Sequence, residues 1–164
     1  MDKMPRIERA VARRPTTLRI KWRSGRSVDI DLAGWIATGG DILAPLNNSA
    51  LFAKARIADY GAAVTWDDED LRIDAVHLEH LAQEQLPFGA KDAAEWQRSM
   101  QLSNHEAAAL LGIAVSTWNA YKARGSIPST VAMLCRAAKR DPIMMHAHFR
   151  PRRPVGRPRK IAQV

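Results

Sequence analysis

The side chains in this sequence whose type and spacing invite chemistry are mostly cations, amides and hydroxyls. Residues 152–160 read RRPVGRPRK, cations interleaved with proline and glycine and no acid among them. Guanidinium and ammonium groups strung on an extended backbone neutralise phosphates. Residues 102–128, LSNHEAAALLGIAVSTWNAYKARGSIP, carry short polar side chains and two further cations. Such groups hydrogen-bond well to planar heterocycles and to phosphate oxygens. Covalent chemistry has no comparable constellation. His77 and His80 stand i,i+3 without a third metal ligand, and the run Asp67, Asp68, Glu69, Asp70 lacks the glycine and distal glutamate of a calcium loop and reads as a solvated turn. His146 and His148, at i,i+2, would not share a helix face, and no nucleophile has a nearby base. Cys135, in VAMLCRAA, reads as a small buried thiol. No catalytic, cofactor or metal site is expected, and the expected chemistry is non-covalent binding of a polyanion.

The charge distribution sharpens this. The chain has 164 residues, a formal charge of +8, 46% hydrophobic and 26% charged residues, enough for one domain or two small ones with a buried core. Residues 1–14 hold five cations and two acids, 15–87 seven and eleven, 88–141 seven and four, and 142–164 six and none. An acidic first module thus precedes a basic second half, the pattern expected when only one half meets a polyanion. LPFGAK, at residues 86–91, marks the boundary. No stretch approaches the ~20 apolar residues of a membrane helix, the first residues lack the apolar core of a secretory signal, and one cysteine cannot form an internal disulfide. A cytoplasmic location without membrane contact is expected.

The elements that would position these groups are legible as periodicities. In TLRIKWR, Leu18, Ile20 and Trp22 alternate with cations, and in RSVDIDL, Val28, Ile30 and Leu32 alternate with acids. An odd-length loop keeps the apolar faces together and pairs Trp22 with Val28, Ile20 with Ile30, Lys21 with Asp29 and Arg19 with Asp31. A helical turn near Leu51, strands at residues 55–60 and 62–66 broken at Gly61, and a helix capped by Asp74 with Val76, Leu78, Leu81 and Leu86 as its apolar stripe complete the module. TLRIKWRSGRSVDIDL, DILAPLNNSALFAKARI and AAVTWDDEDLRIDAVHL resemble domain-of-unknown-function family 2442 over residues ~15–85. That resemblance implies a small α+β fold without an established activity, sometimes encoded beside toxin-like neighbours.

The second half reads as helices. DAAEWQRSMQL places Trp96 and Met100 at i,i+4. Ser103 and Glu106 form a capping box, Gly112 ends that helix, and a second helix carries Trp118 and Tyr121 inward and ends at Gly125. PSTVAMLCRAAKR adds a helix with Val131, Leu134 and Ala138 inward, and PIMMHAHF a short fifth one. The stretch 88–149 resembles the lambda-repressor-like helix-turn-helix domains of the XRE group at Leu102, Ser103, Ala108, Leu111, Gly112, Ile113, Ser116, Thr117, Trp118, Tyr121, Gly125, Ile127 and Pro128. That group places a glycine three residues after the aromatic. Here Gly125 follows Tyr121 by four, so Arg124 extends the helix by one residue and the register of backbone contacts beyond it stays open.

The resemblance implies an all-α domain whose second motif helix enters the DNA major groove, with Val115, Ser116, Asn119 and Ala120 toward base edges. Asn119 suits adenine, Ser116 either base type, and Val115 a thymine methyl. Ser116 is equally placed to cap the helix, and Val115 shares the spacing of Trp118 and Tyr121 that would bury it. Thr117, Lys122, Arg124 and Ser126, with Ser103 and Asn104 at a helix start, suit phosphate oxygens. PVGRPRK resembles an AT-hook core, which implies Gly156, Arg157 and Pro158 extended along an AT-rich minor groove with Arg153, Arg159 and Lys160 beside them. Val155 stands where that family has arginine, and a plain polycationic tether accounts for the charge equally well.

The expectation is therefore an α+β chain. It has a basic arm (1–14), a small antiparallel-sheet-plus-helix domain (15–87), an all-α helix-turn-helix domain (88–149) and a basic tail (150–164). Its expected role is that of a transcriptional regulator that binds double-stranded DNA as a homodimer. The other reading is an antitoxin-like or adaptor protein that mainly binds a protein partner through its first domain.

Overall fold

The alternating residues of the first module do form a hairpin, and a third strand joins it. The computed structural model describes residues 4–68 and 70–152, with only the backbone of Arg14. β1 (Ile7–Arg14), β2 (Thr17–Trp22) and β3 (Ser27–Asp31) make an antiparallel sheet in that order. The segment expected as a basic arm is thus largely a strand. Its alternation is hidden because register shifts between Ile7 and Arg9 and between Ala12 and Arg14 rephase it. Ile7 is buried, Ala10 and Ala12 pack on the core, and Arg9 and Arg13 face out.

The β2–β3 loop is odd, as the alternation requires, but two residues shorter than expected. Ile20 pairs with Val28 and Leu18 with Ile30, leaving Arg23, Ser24 and Gly25 as the turn. Gly25 adopts φ +92, its N–H donates to the Trp22 carbonyl (2.9 Å), and the Trp22 N–H donates to the Arg26 carbonyl (2.8 Å). The solvent-face pairs shift accordingly. Arg19 grips Asp29 through Nε (2.7 Å) and Nη2 (2.5 Å), and Lys21 reaches Glu8 on β1 (2.7 Å).

Short helices α1 (Ala33–Thr38), α2 (Gly40–Leu43) and α3 (Ser49–Phe52) follow, with a 3-10 turn at Ala44–Asn47. A second antiparallel sheet holds β4 (Arg56–Ala58), β5 (Ala63–Thr65) and β6 (Arg72–Asp74) in that order; its first two strands are shorter than expected and the third was not anticipated. Asp74 caps α4 (Ala75–Gln85) by accepting from the His77 N–H (2.7 Å). The buried face of α4 is Ala75, Leu78 and Ala82, whereas Val76 and Leu86 are exposed, because the small alanines let the helix lie close to the sheets. At the centre, Trp66 is fully buried, donates its indole N–H to the Phe52 carbonyl (3.0 Å) and stacks on Trp35 with centroids 6.3 Å apart. Of the acidic run, Asp67 pairs with Lys54 (2.5 Å), and that bond holds its carboxyl below the usual range.

Gly61 is constrained twice. Its φ is +89, and a Cβ there would lie 2.3 Å from the Ile7 carbonyl oxygen. Gly61→Ala should therefore destabilise the protein by more than about 1 kcal/mol, read as a fall in the urea midpoint. An unchanged midpoint would mean that β1 yields without cost.

The chain divides into compact units at Met1–Leu86 and Pro87–Val164, one residue before the expected boundary. Among the described residues, the regular elements of the second unit are helices: α5 (Ala90–Ser99), α6 (Asn104–Leu111), α7 (Val115–Arg124), α8 (Ser129–Arg140) and α9 (Pro142–His148). Its core gathers Ala93, Trp96, Leu102, Ala107, Ala108, Leu111, Trp118, Val131, Cys135 and Ala138. Cys135, not Leu134, follows Val131 inward. Leu134 is exposed, and burial pushes the Cys135 thiol up to about 12. The fold is α+β, a small antiparallel-sheet region followed by helices.

Candidate nucleic-acid interface

α6 and α7 are built by local signals that act as the spacing requires. The Ser103 Oγ accepts from the Glu106 N–H (3.3 Å), while the Glu106 carboxylate accepts from the Ser103 N–H (2.9 Å) and hydroxyl (2.7 Å). These bonds, the backbone one foremost, hold the Glu106 carboxyl below its usual range, helped by the Arg152 N–H (3.1 Å). Gly112 closes α6 at φ +68, in the left-handed region that a tight turn between crossing helices requires. Ala107 and Ala108, both buried, allow the close approach.

One side of α7 is locked to the core. Trp118 is fully buried and meets Trp96 edge to face with centroids 5.6 Å apart. Its indole N–H donates to the Gln97 Oε1 (2.8 Å), which also accepts from the Lys122 Nζ (2.8 Å). Lys122 Nζ donates further to the Asn104 Oδ1 (2.5 Å) and lies 5.8 Å from the Trp118 ring centroid. The Gln97 amide donates to the Leu102 carbonyl and to Asn104, both at 3.0 Å. Gln97 therefore joins α5, α6 and α7 through one side chain. Sequence reading missed it, because nothing about an amide beside Trp96 shows which later residues will surround it.

The opposite side of α7 is open. Ser116, Asn119 and Ala123 are exposed at i, i+3 and i+7, with Thr117 and Ala120 half-buried beside them and Arg124 and Ser126 exposed at the far end. The two ambiguous assignments separate. Val115 is half-buried and packs on the core with Tyr121 and Ile113, which is the burial alternative. Ser116 does not cap α7, whose N-cap position is Ala114 without a side-chain bond, so its hydroxyl stays on the outer face. Among the expected phosphate contacts, Ser103 commits its hydroxyl to the cap beside a carboxylate, and Asn104 and Lys122 share the internal network. Thr117, Arg124 and Ser126 stand free of those bonds on the α7 side.

No family model and no curated protein matches this chain. A solved structure resembles it: the crystal structure of “Putative DNA Binding Protein NE0471 from Nitrosomonas europaea ATCC 19718”, at 24% sequence identity and a TM-score of 0.48, with 93% of this chain and 98% of that one covered.

Beyond α9, Arg150 donates to the Ala147 (3.0 Å) and Phe149 (2.8 Å) carbonyls, and Arg152 returns to Glu106. Arg150 and Arg152 line a shallow groove with His105, Ala109, Ile113 and Val115, at the turn that precedes α7. The tail residues Arg153, Arg157, Arg159 and Lys160 lie outside the described residues. Among the described residues, no group of three or more His, Cys, Asp or Glu could hold a metal ion, and no helix is long and apolar enough to cross a membrane.

Proposed function

We propose that this chain is a sequence-specific double-stranded-DNA-binding protein, a transcriptional regulator of the lambda-repressor-like XRE type, that places the exposed face of α7 in the major groove. The observation that carries the reading is a helix with its inner face fixed by Trp118 and an outer face of Ser116, Asn119 and Ala120 with Arg124 and Ser126 beyond it. That is the division of labour a recognition helix needs: packing sets its angle, and small polar residues read base edges. The charge supports it, with thirteen Lys and Arg against four Asp and Glu in residues 87–164.

A lone helix-turn-helix reads few base pairs, so the working form proposed is a homodimer on an inverted repeat with half-sites about one helical turn apart. The first unit, of the family 2442 kind, would supply the protein contacts, and the cytoplasm is the compartment in which such a regulator meets DNA. The test is Asn119→Ala on duplexes first selected from a random pool by the full chain. The variant should lose about 1–3 kcal/mol on the selected site and little on random duplex. Equal losses on both would remove the base-reading role from Asn119.

A further inference from the structure

The first unit contains a feature that folding alone does not explain. Asp59, Tyr60 and Gly61 take φ of +50, +55 and +89 in succession, a left-handed run in which two residues carry side chains. Bulky residues avoid this region, and a tyrosine can be held there only by surroundings that over-determine it. The surroundings are three arginines. Arg6 Nη1 donates to the Asp59 carbonyl (3.3 Å), Arg23 Nη2 to the Tyr60 carbonyl (2.9 Å), and Arg72 Nη2 to the Asp59 carboxylate (2.6 Å). Arg6 and Arg23 are tied to each other by a backbone bond from the Arg23 N–H to the Arg6 carbonyl (2.9 Å). Yet the Tyr60 side chain gains nothing from the fold, being 91% exposed. Glycine would make the same turn without strain.

We propose that the Tyr60 knuckle is a protein-docking surface that takes a peptide segment bearing a carboxylate beside a large apolar side chain. The ring offers apolar area at little entropic cost, and Tyr and Arg are the residue types that dominate binding hot spots. Of the three guanidiniums only Arg72 bonds a carboxylate, that of Asp59, while Arg6 and Arg23 bond main-chain carbonyls, so the spot is locally cationic and complementary to an acidic group. The unit around it is not. Residues 1–86 carry twelve Lys and Arg against thirteen Asp and Glu, a balance that gives no long-range attraction to a polyanion but does not oppose a single carboxylate brought to the knuckle.

The probe is a displayed library of random twelve-residue peptides, selected on the full chain. Enriched peptides should pair Asp or Glu with a Leu, Ile, Phe or Trp neighbour. Their affinity should fall tenfold or more with Tyr60→Ala, fall several-fold with Arg23→Gln, and stay unchanged with Asn119→Ala. Tyr60→Gly separates binding from folding: it should raise the urea midpoint by relieving the strain and still lose the peptides. Failure to enrich any peptide, equal affinity for parent and Tyr60→Ala, or a lowered midpoint in Tyr60→Gly would each overturn the proposal. So would a comparable loss of random duplex DNA binding in Tyr60→Ala, which would give the knuckle to nucleic acid.

Discussion

Trp118→Ala is expected to lower the stability of the helical unit by about 3–5 kcal/mol, the range for removing a large buried aromatic. Three losses coincide at this residue. The indole is fully buried, so its removal leaves a cavity, and the edge-to-face contact with Trp96 goes with it. Gln97 loses the donor that, together with Lys122, satisfies its Oε1. Small domains have only about 5–15 kcal/mol to lose, so a large part of the unit's stability is at stake. Helical ellipticity followed through a denaturant titration should show an early transition for the variant. Trp118→Phe refines the result: it keeps much of the ring volume but not the N–H, and its smaller loss measures the Gln97 bond and the reduced packing together. Specific DNA binding should fall even at temperatures where Trp118→Ala remains folded, because the angle of α7 is set through this side chain. A variant of near-parental stability would show that the α7 packing described here is not what holds the unit together.

The parts of this protein that were readable in its sequence are those fixed by neighbours along the chain. The Ser103–Glu106 cap, the left-handed stops at Gly112 and Gly125, and the Asp74 cap each need only three or four residues, so spacing alone specifies them. β1 was unreadable because two register shifts break its alternation, leaving its arginines as the visible signal. The hairpin register was off by two because parity restricts loop length to odd values, while the three-residue turn depends on Gly25 adopting φ +92. In the second unit, the inward role of Trp118 followed from periodicity. The engagement of Asn104 and Lys122 did not, since it needs Gln97 to arrive from a separate helix. A polar residue on an open helix face and one turned into an internal network look alike until their neighbours are known.

The basic tail carries the other large expected effect. Removing residues 150–164 deletes six cations, Arg150, Arg152, Arg153, Arg157, Arg159 and Lys160. Each neutralised phosphate adds about 0.9 to the log–log salt slope, so the truncated chain should bind duplex DNA with a slope shallower by up to about 5. Between 50 and 200 mM salt, the full chain should then lose about 1,000-fold more affinity than the truncated one, as that slope difference implies over a fourfold salt range. The geometry gives the tail its starting point. Arg152, the last described residue, bonds Glu106 near the start of α6 and borders a groove shared with Ile113 and Val115 at the turn that leads into α7. Titration by fluorescence anisotropy at several salt concentrations measures the slope. Flanking sequence then decides between a reader and a tether. If Gly156, Arg157 and Pro158 enter a minor groove, truncation should cost more on sites flanked by AT tracts than on sites flanked by GC tracts at the same salt, because the narrow AT groove concentrates negative potential on an inserted arginine. Equal losses on both flanks would leave the tail as an electrostatic tether without base preference, and an unchanged slope would mean that it does not touch the DNA at all.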